Sequence, residues 1–348
     1  MDVFGIEYVG ERHIHHLSDV LKQHYEITED WTGTKFVGID IKWKYAPKHV
    51  ERTCHLCIKD YIKDLLLQFG HNPPSKPQLL PYNHREIMYG ANPQMAHIED
   101  TIPPLDEGGI KRIQAIVGDV LFYGRAVDNK LLVTLNSVGT HQAEATEATN
   151  EAVNQMLDYL STYPNDGIVY RASDMILAAD SDSGFHNESK GRSRSGDHIF
   201  LSEDNPIPRW NGPILSISQV IKFDMTSAAE AELAALYITA QKLVPMRQTL
   251  IEMGWPQPPT PIQTDNTTAE VVVNKKIDTK TFKSMDLRLH WLRCREAQKH
   301  FVFTGTKDPT TGVNITQNNT YRYITSQSAP FLQGALKYYY ISYKHNTN

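Results

Sequence analysis

Three acidic residues stand where a carboxylate has leverage: Asp182 in Ala-Asp-Ser-Asp-Ser-Gly-Phe, Glu232 in Ala-Glu-Ala-Glu-Leu-Ala-Ala-Leu, and Asp265 in Ile-Gln-Thr-Asp-Asn. Asp182 follows the apolar run 175–179 and Asp265 follows 261–263, so both read as ends of strands that stop at a polar turn. Glu232 falls on a helical pattern. Acids from a strand end, a following helix and a second strand end converge on one edge of a mixed sheet. That donor set is all oxygen, which suits a hard divalent cation such as magnesium, and two such ions catalyse phosphodiester cleavage. Asp180 competes with Asp182, since alternation puts both on one face of a strand; the place directly before Ser-Gly-Phe favours Asp182. Glu230 competes with Glu232 and reads as its solvated neighbour.

The elements that must position these acids follow from periodicity. From residue 167 the pattern is one of strands, at 168–170, 175–180, 198–202 and 214–220, and then a helix at 228–243. A strand at 262–263, helices at 267–274 and 284–298 and a strand at 301–304 complete the set. Meandering strands followed by α/β alternation predict a mixed sheet flanked by helices.

Upstream, a short strand at 2–8, a helix at 11–25, a half-buried strand at 35–45 with a hairpin partner at 49–57 and a helix at 58–69 form an α+β segment. Residues 71–104 hold seven of the nineteen prolines and read as a strap. Helical patterns at 110–126, 131–138 and 141–160 form a connector. After Thr311 the tail is polar and tyrosine-rich without clear periodicity. The expected division is thus 1–104, 105–166, 167–310 and 311–348.

The chain has 348 residues, 40 % of them hydrophobic and 22 % charged, which is the composition of a globular protein. A formal charge of −5 gives no global pull toward nucleic acid, so phosphate contacts must come from local basic stretches. Two qualify: Lys190, Arg192 and Arg194 between the first two strands of the sheet, and Lys275 and Lys276 after the third acid, with Lys280 and Lys283 beyond. Three cysteines do not make a secreted disulfide framework. Cys54 and Cys57 fall on opposite faces of a strand with no second pair nearby, a pattern that does not suit zinc. No stretch reads as a signal peptide or a membrane span. An intracellular protein is expected, with the Asn-X-Thr sequons at Asn266, Asn314 and Asn318 unused.

The order of these motifs resembles copia-type LTR retrotransposon polyproteins. Asp182-Ser-Gly-Phe185, Glu230-Ala-Glu232-Leu-Ala-Ala-Leu236, Thr264-Asp265-Asn266 and the helix Lys283-Ser-Met-Asp286-Leu-Arg-Leu-His290-Trp-Leu-Arg293 are similar to their ribonuclease H domain. Residues 2–10, 25–30 and 36–39 are similar to the end of the reverse transcriptase palm running into the thumb. Residues 116–123, 125–128 and 157–160 are similar to the connection region. The resemblance covers nearly the whole chain. It implies an α/β, ribonuclease H-like, mixed five-stranded sheet flanked by helices, preceded by a truncated thumb-like segment and a helical connection. It also implies hydrolysis of the RNA strand of RNA/DNA hybrids with magnesium, or manganese in its place, on Asp182, Glu232 and Asp265. Other polyprotein segments would be its partners.

The chain departs from the family at two sites. Met1-Asp2-Val3 stands where the family has two adjacent aspartates of the polymerase site, so Asp2 is the remnant of a degenerate site and no polymerase activity is expected. Near the C-terminus the fourth carboxylate is missing: Thr311-Gly-Val-Asn314-Ile-Thr-Gln317 offers only the neutral oxygen of Asn314, and Asp308, followed by Pro309, suits a turn. The alternative to an active nuclease is therefore a decayed or domesticated fragment that binds nucleic acid without cutting it.

Overall fold

The computed structural model describes residues 2–8, 11–45, 52–82, 102–188, 191–205, 208–274, 286–305 and 337–344. In chain order the elements are β1 (Asp2–Tyr8), α1 (Glu11–Lys22), β2 (Glu26–Asp30), β3 (Lys35–Phe36), β4 (Ile39–Lys44), β5 (Thr53–Cys57) and α2 (Tyr61–Gln68). There follow α3 (Glu107–Ala126), α4 (Leu132–His141), α5 (Glu147–Thr162), β6 (Gly167–Arg171), β7 (Ile176–Glu188), β8 (Arg192–Ser202) and β9 (Pro213–Val220). The last are α6 (Ala228–Glu252), β10 (Thr260–Thr264), α7 (Thr267–Val273), α8 (Asp286–Ala297), β11 (Phe301–Gly305) and β12 (Lys337–Lys344).

The chain divides into two compact units. The first takes residues 1–64, 164–172 and 329–348 and holds two sheets, β1-β12-β2 and β3-β4-β5-β6, both antiparallel. Here the structure differs from the expected continuous strand at 35–45. The chain turns at Val37 (φ 48) and Gly38 (φ 82), and β3 folds back on β4 as a tight hairpin. Two successive positive φ values give the primed turn whose twist matches a hairpin, and Gly38 adopts it without steric cost. The strand at 167–171 also pairs with β5, so it lies outside the five-stranded sheet. The tail, which showed no periodicity, supplies β12, the middle strand between β1 and β2.

The second unit, residues 65–163 and 173–328, holds the helical connector and a five-stranded sheet in the order β11-β10-β7-β8-β9. β7, β8 and β9 form an antiparallel meander, while β10 runs parallel to β7 and β11 parallel to β10. This is the expected mixed sheet. On α6, Leu233, Leu236, Ala240 and Leu243 recur at helical spacing and are buried against Leu177, Ala179, Ile199, Ile262, Phe301 and Phe303 of the sheet. Leu289 and Leu292 of α8 join the same core.

α6 continues nine residues past its expected end at Leu243, through Pro245, whose missing N–H leaves one helical bond unmade. The extension is held by Arg247, buried and donating to the carbonyls of Gln257 and Pro258 and to Thr260 Oγ1 (2.6 Å). Its start is fixed by Ser227, whose hydroxyl accepts from the N–H of Glu230.

Candidate metal centre

Asp182 does not end its strand. β7 runs on to Glu188 because β8 keeps pairing with it, Asp182 opposite Gly196 and Ser183 opposite Ser195. What ends at this level is β10. Its register with β7 is Ile262 to Ala179 and Gln263 to Asp180, so two residues further along Asp265 stands level with Asp182, just beyond Thr264. Asn266 then caps α7, its side chain accepting from the N–H of Ala269. Glu232 comes in from the second turn of α6 and is buried, 3 % exposed. One carboxylate oxygen from each of Asp182, Glu232 and Asp265 lies within 4.8 Å of the others. Among the described residues this is the one such cluster of His, Cys, Asp or Glu.

Glu232 is held from two sides. Ser183 donates to its Oε1 through both N–H (3.2 Å) and hydroxyl (2.9 Å), and Thr264 Oγ1 stands 3.4 Å from Oε2. Burial pushes the Glu232 carboxyl well above its usual range, and the negative charges of Asp182 and Asp265 push it further. Asp182 is pushed up to about 8, first by burial and then by Asp265, with Asp197 adding to it. Asp265 is raised by burial. Three carboxylates packed this closely cannot all ionise without a counter-charge. An oxygen-only donor set under such mutual repulsion fits a divalent hard cation.

The competing acids have other roles. Asp180 is pushed up to about 8 by burial, and neither of its oxygens has a hydrogen-bond partner among the described residues. It is outside the cluster of three. Glu230, expected to be solvated, is 2 % exposed and accepts from the N–H (2.8 Å) and hydroxyl (2.5 Å) of Thr226, closing the start of α6.

Arg194 corrects the expected phosphate-binding set. It is 3 % exposed, and its guanidinium donates to Glu188 Oε1 (2.6 Å), Asn136 Oδ1 (2.7 Å) and Ser218 Oγ (3.2 Å). An inward-facing position on β8 turns this arginine into an internal tie between hairpin, connector and β9. Arg192 is exposed. Lys190, Lys275, Lys276 and Asn314, together with Asp308, Lys280 and Lys283, lie outside the described residues. Asp2 falls on β1, and its side chain lies outside them as well. His290 is exposed on α8.

Sequence reasoning missed Asp197. It is buried on β8 and accepts from the hydroxyls of Thr239 (2.5 Å), Ser181 (3.0 Å) and Ser195 (3.0 Å). The available signal was the alternation of Ser195 and Asp197 on the inward face, opposite Ser183 and Ser181.

No family model and no curated protein matches this chain. Among solved structures, the ribonuclease H1 LC11, isolated from compost by a metagenomic approach, is similar at 14 % identity over 43 % of this chain and 92 % of its own, with a TM-score of 0.31. The foamy viral protease-reverse transcriptase, solved with an RNA/DNA hybrid, is similar at 10 % identity over 93 % of this chain and 36 % of its own, with a TM-score of 0.43. The five-stranded sheet of this chain is mixed, and helices pack against it. A mixed sheet was expected from the sequence; its order, an antiparallel meander flanked on one side by two parallel strands, comes from the structure.

Proposed function

We propose that this chain is a ribonuclease H-type endonuclease of copia-type retroelement origin, hydrolysing the RNA strand of RNA/DNA hybrids. The observation that carries this reading is the convergence of Asp182, Glu232 and Asp265 within 4.8 Å at the level where β10 ends and the β7-β8 hairpin continues. Asp182 and Asp265 from parallel neighbouring strands, with Glu232 from the helix packed over them, would hold magnesium, or manganese in its place. The bound ions supply an activated water and stabilise the leaving oxygen of a phosphodiester.

The residues of the chain do the rest. Ser183 fixes Glu232 in one orientation through two hydrogen bonds. Glu232, opposed by both Asp182 and Asp265, and Asp182, opposed by Asp265, are buried acids whose ionisation a bound cation would relieve. Arg192, exposed on the hairpin, would contact a phosphate of the nucleic acid, and Lys190, Lys275 and Lys276 would extend that contact. Selection of the hybrid over duplex DNA would rest on contacts to 2′-hydroxyls.

The test is a gel assay on an RNA/DNA hybrid labelled on either strand, with duplex DNA and duplex RNA alongside. The expected result is magnesium-dependent cutting of the hybrid's RNA strand alone, lost in Asp182→Asn. Cutting of all duplexes alike, or equal cutting by the variant, would refute the assignment. Hybrid binding without cutting would favour the domesticated, non-cleaving alternative.

A further inference from the structure

Behind the metal centre, β7, β8 and α6 are joined by a buried polar contact that the proposed chemistry does not use. Asp197 on β8 lies opposite Ser181 on β7, and both face α6. The hydroxyl of Thr239 on α6 lies 2.5 Å from Asp197 Oδ1 and 3.0 Å from Ser181 Oγ. Ser181 also reaches Oδ1, and Ser195 donates to Oδ2. All four side chains are 5 % exposed or less. A buried carboxylate is tolerated only when it is hydrogen-bonded, and three hydroxyls, each with one proton to give, supply three of its four acceptor sites.

The placement of this contact matters. Thr239 follows Glu232 by seven residues, two helical turns, so both lie on the face of α6 turned to the sheet, about 10 Å apart along the axis. Ser181 precedes Ser183 by two residues, so both lie on the face of β7 turned to α6. Helix and strand are therefore pinned twice: Ser183 to Glu232 at the metal centre, and Ser181 and Asp197 to Thr239 two turns away. Apolar contacts between Leu233, Leu236 and the sheet are non-directional and leave α6 free to slide or rotate by fractions of an ångström. Hydroxyl-to-carboxylate bonds do not.

We propose that Asp197 is a positioning residue: through Thr239 it sets the register of α6 on β7 and so the spacing of Glu232 from Asp182. This rests on the proposed metal centre. Asp197 itself is outside the cluster of three oxygens and holds no ion in this account. A partner that orients ligands from behind typically changes metal affinity by about 10–100-fold when removed.

The test is Mn2+ binding to the full chain, followed by electron paramagnetic resonance, for wild type, Asp197→Ala, Thr239→Val and Thr239→Ser, with a thermal melt of each. Asp182→Asn reports binding at the three acids. Thr239→Val keeps the shape and removes one hydroxyl, which keeps the proposal testable if Asp197→Ala does not fold. The expected result is Mn2+ binding by wild type that Asp182→Asn abolishes, about tenfold weaker binding in folded Thr239→Val, and recovery in Thr239→Ser. Unchanged affinity in Thr239→Val would overturn the positioning role and leave the metal centre standing. Absence of any Asp182-dependent Mn2+ binding in wild type would overturn both.

Discussion

At the scale of single residues, the three acids are linked by their effect on one another. Burial and mutual repulsion raise Asp182 to about 8 and Glu232 well above its usual range. Folding therefore favours their protonated forms. The stability this allows is present at low pH and is lost as pH rises from the ordinary carboxylate range, about 4, through about 8 for Asp182. Metal-free protein should melt at progressively lower temperature between about pH 5 and pH 8. Magnesium should raise the melting temperature more at the upper end of that range. Asp182→Asn should make the metal-free profile shallower, leaving the slope that the raised Asp180 and Asp197 carboxyls contribute. Equal slopes in wild type and Asp182→Asn would mean that the three carboxylates do not meet. The two arginines of the hairpin should separate in the same way. Arg192→Ala should weaken hybrid binding and its salt dependence with little change in stability. Arg194→Ala, by leaving Glu188 and Asn136 without their donor, should destabilise by about 1–3 kcal/mol in a urea titration.

At the scale of elements, α6 positions Glu232, and its start is set by Ser227 and by Glu230 reaching back to Thr226. Ser227→Ala should destabilise by about 1 kcal/mol, whereas Leu236→Ala, at a fully buried position against the sheet, should destabilise by about 2–5 kcal/mol. Both are read from urea unfolding. Most of these elements were legible because their apolar spacing is regular: α3, α4, β10 and β11 lie where the periodicity puts them, while α5 starts later and α6 ends later than expected. The places where the reading differed have local causes. Val37 and Gly38 interrupt an alternating strand because backbone dihedrals, not hydropathy, make that turn. β7 outruns its apolar stretch because its pairing with β8 continues through polar residues. Glu230 was assigned to solvent and Arg194 to phosphate by residue type, although a buried polar residue with its partners supplied is equally at home inside. Asp197 went unnoticed for the same reason, since its three hydroxyl partners come from positions 181, 195 and 239, two of them distant in sequence.

At the scale of the whole molecule, the chain folds as two units, and the ends of the first come from opposite ends of the sequence, with β12 between β1 and β2. That pairing was illegible because strand order across such a separation leaves no local pattern. Native-state hydrogen exchange should find the slowest amides in β7, β8, β10 and α6, whose residues fill the largest buried core, and faster exchange in the short β3-β4 hairpin. No described helix is long and apolar enough to cross a membrane. The claim on which the account turns is that residues from β7, α6 and β10 jointly hold divalent cations. The direct measurement is calorimetric titration of magnesium into the wild type and into Asp182→Asn, Glu232→Gln and Asp265→Asn. Saturable binding is expected in the wild type, weakened at least about tenfold in each of the three variants. Saturable binding of equal strength in all four proteins would contradict it.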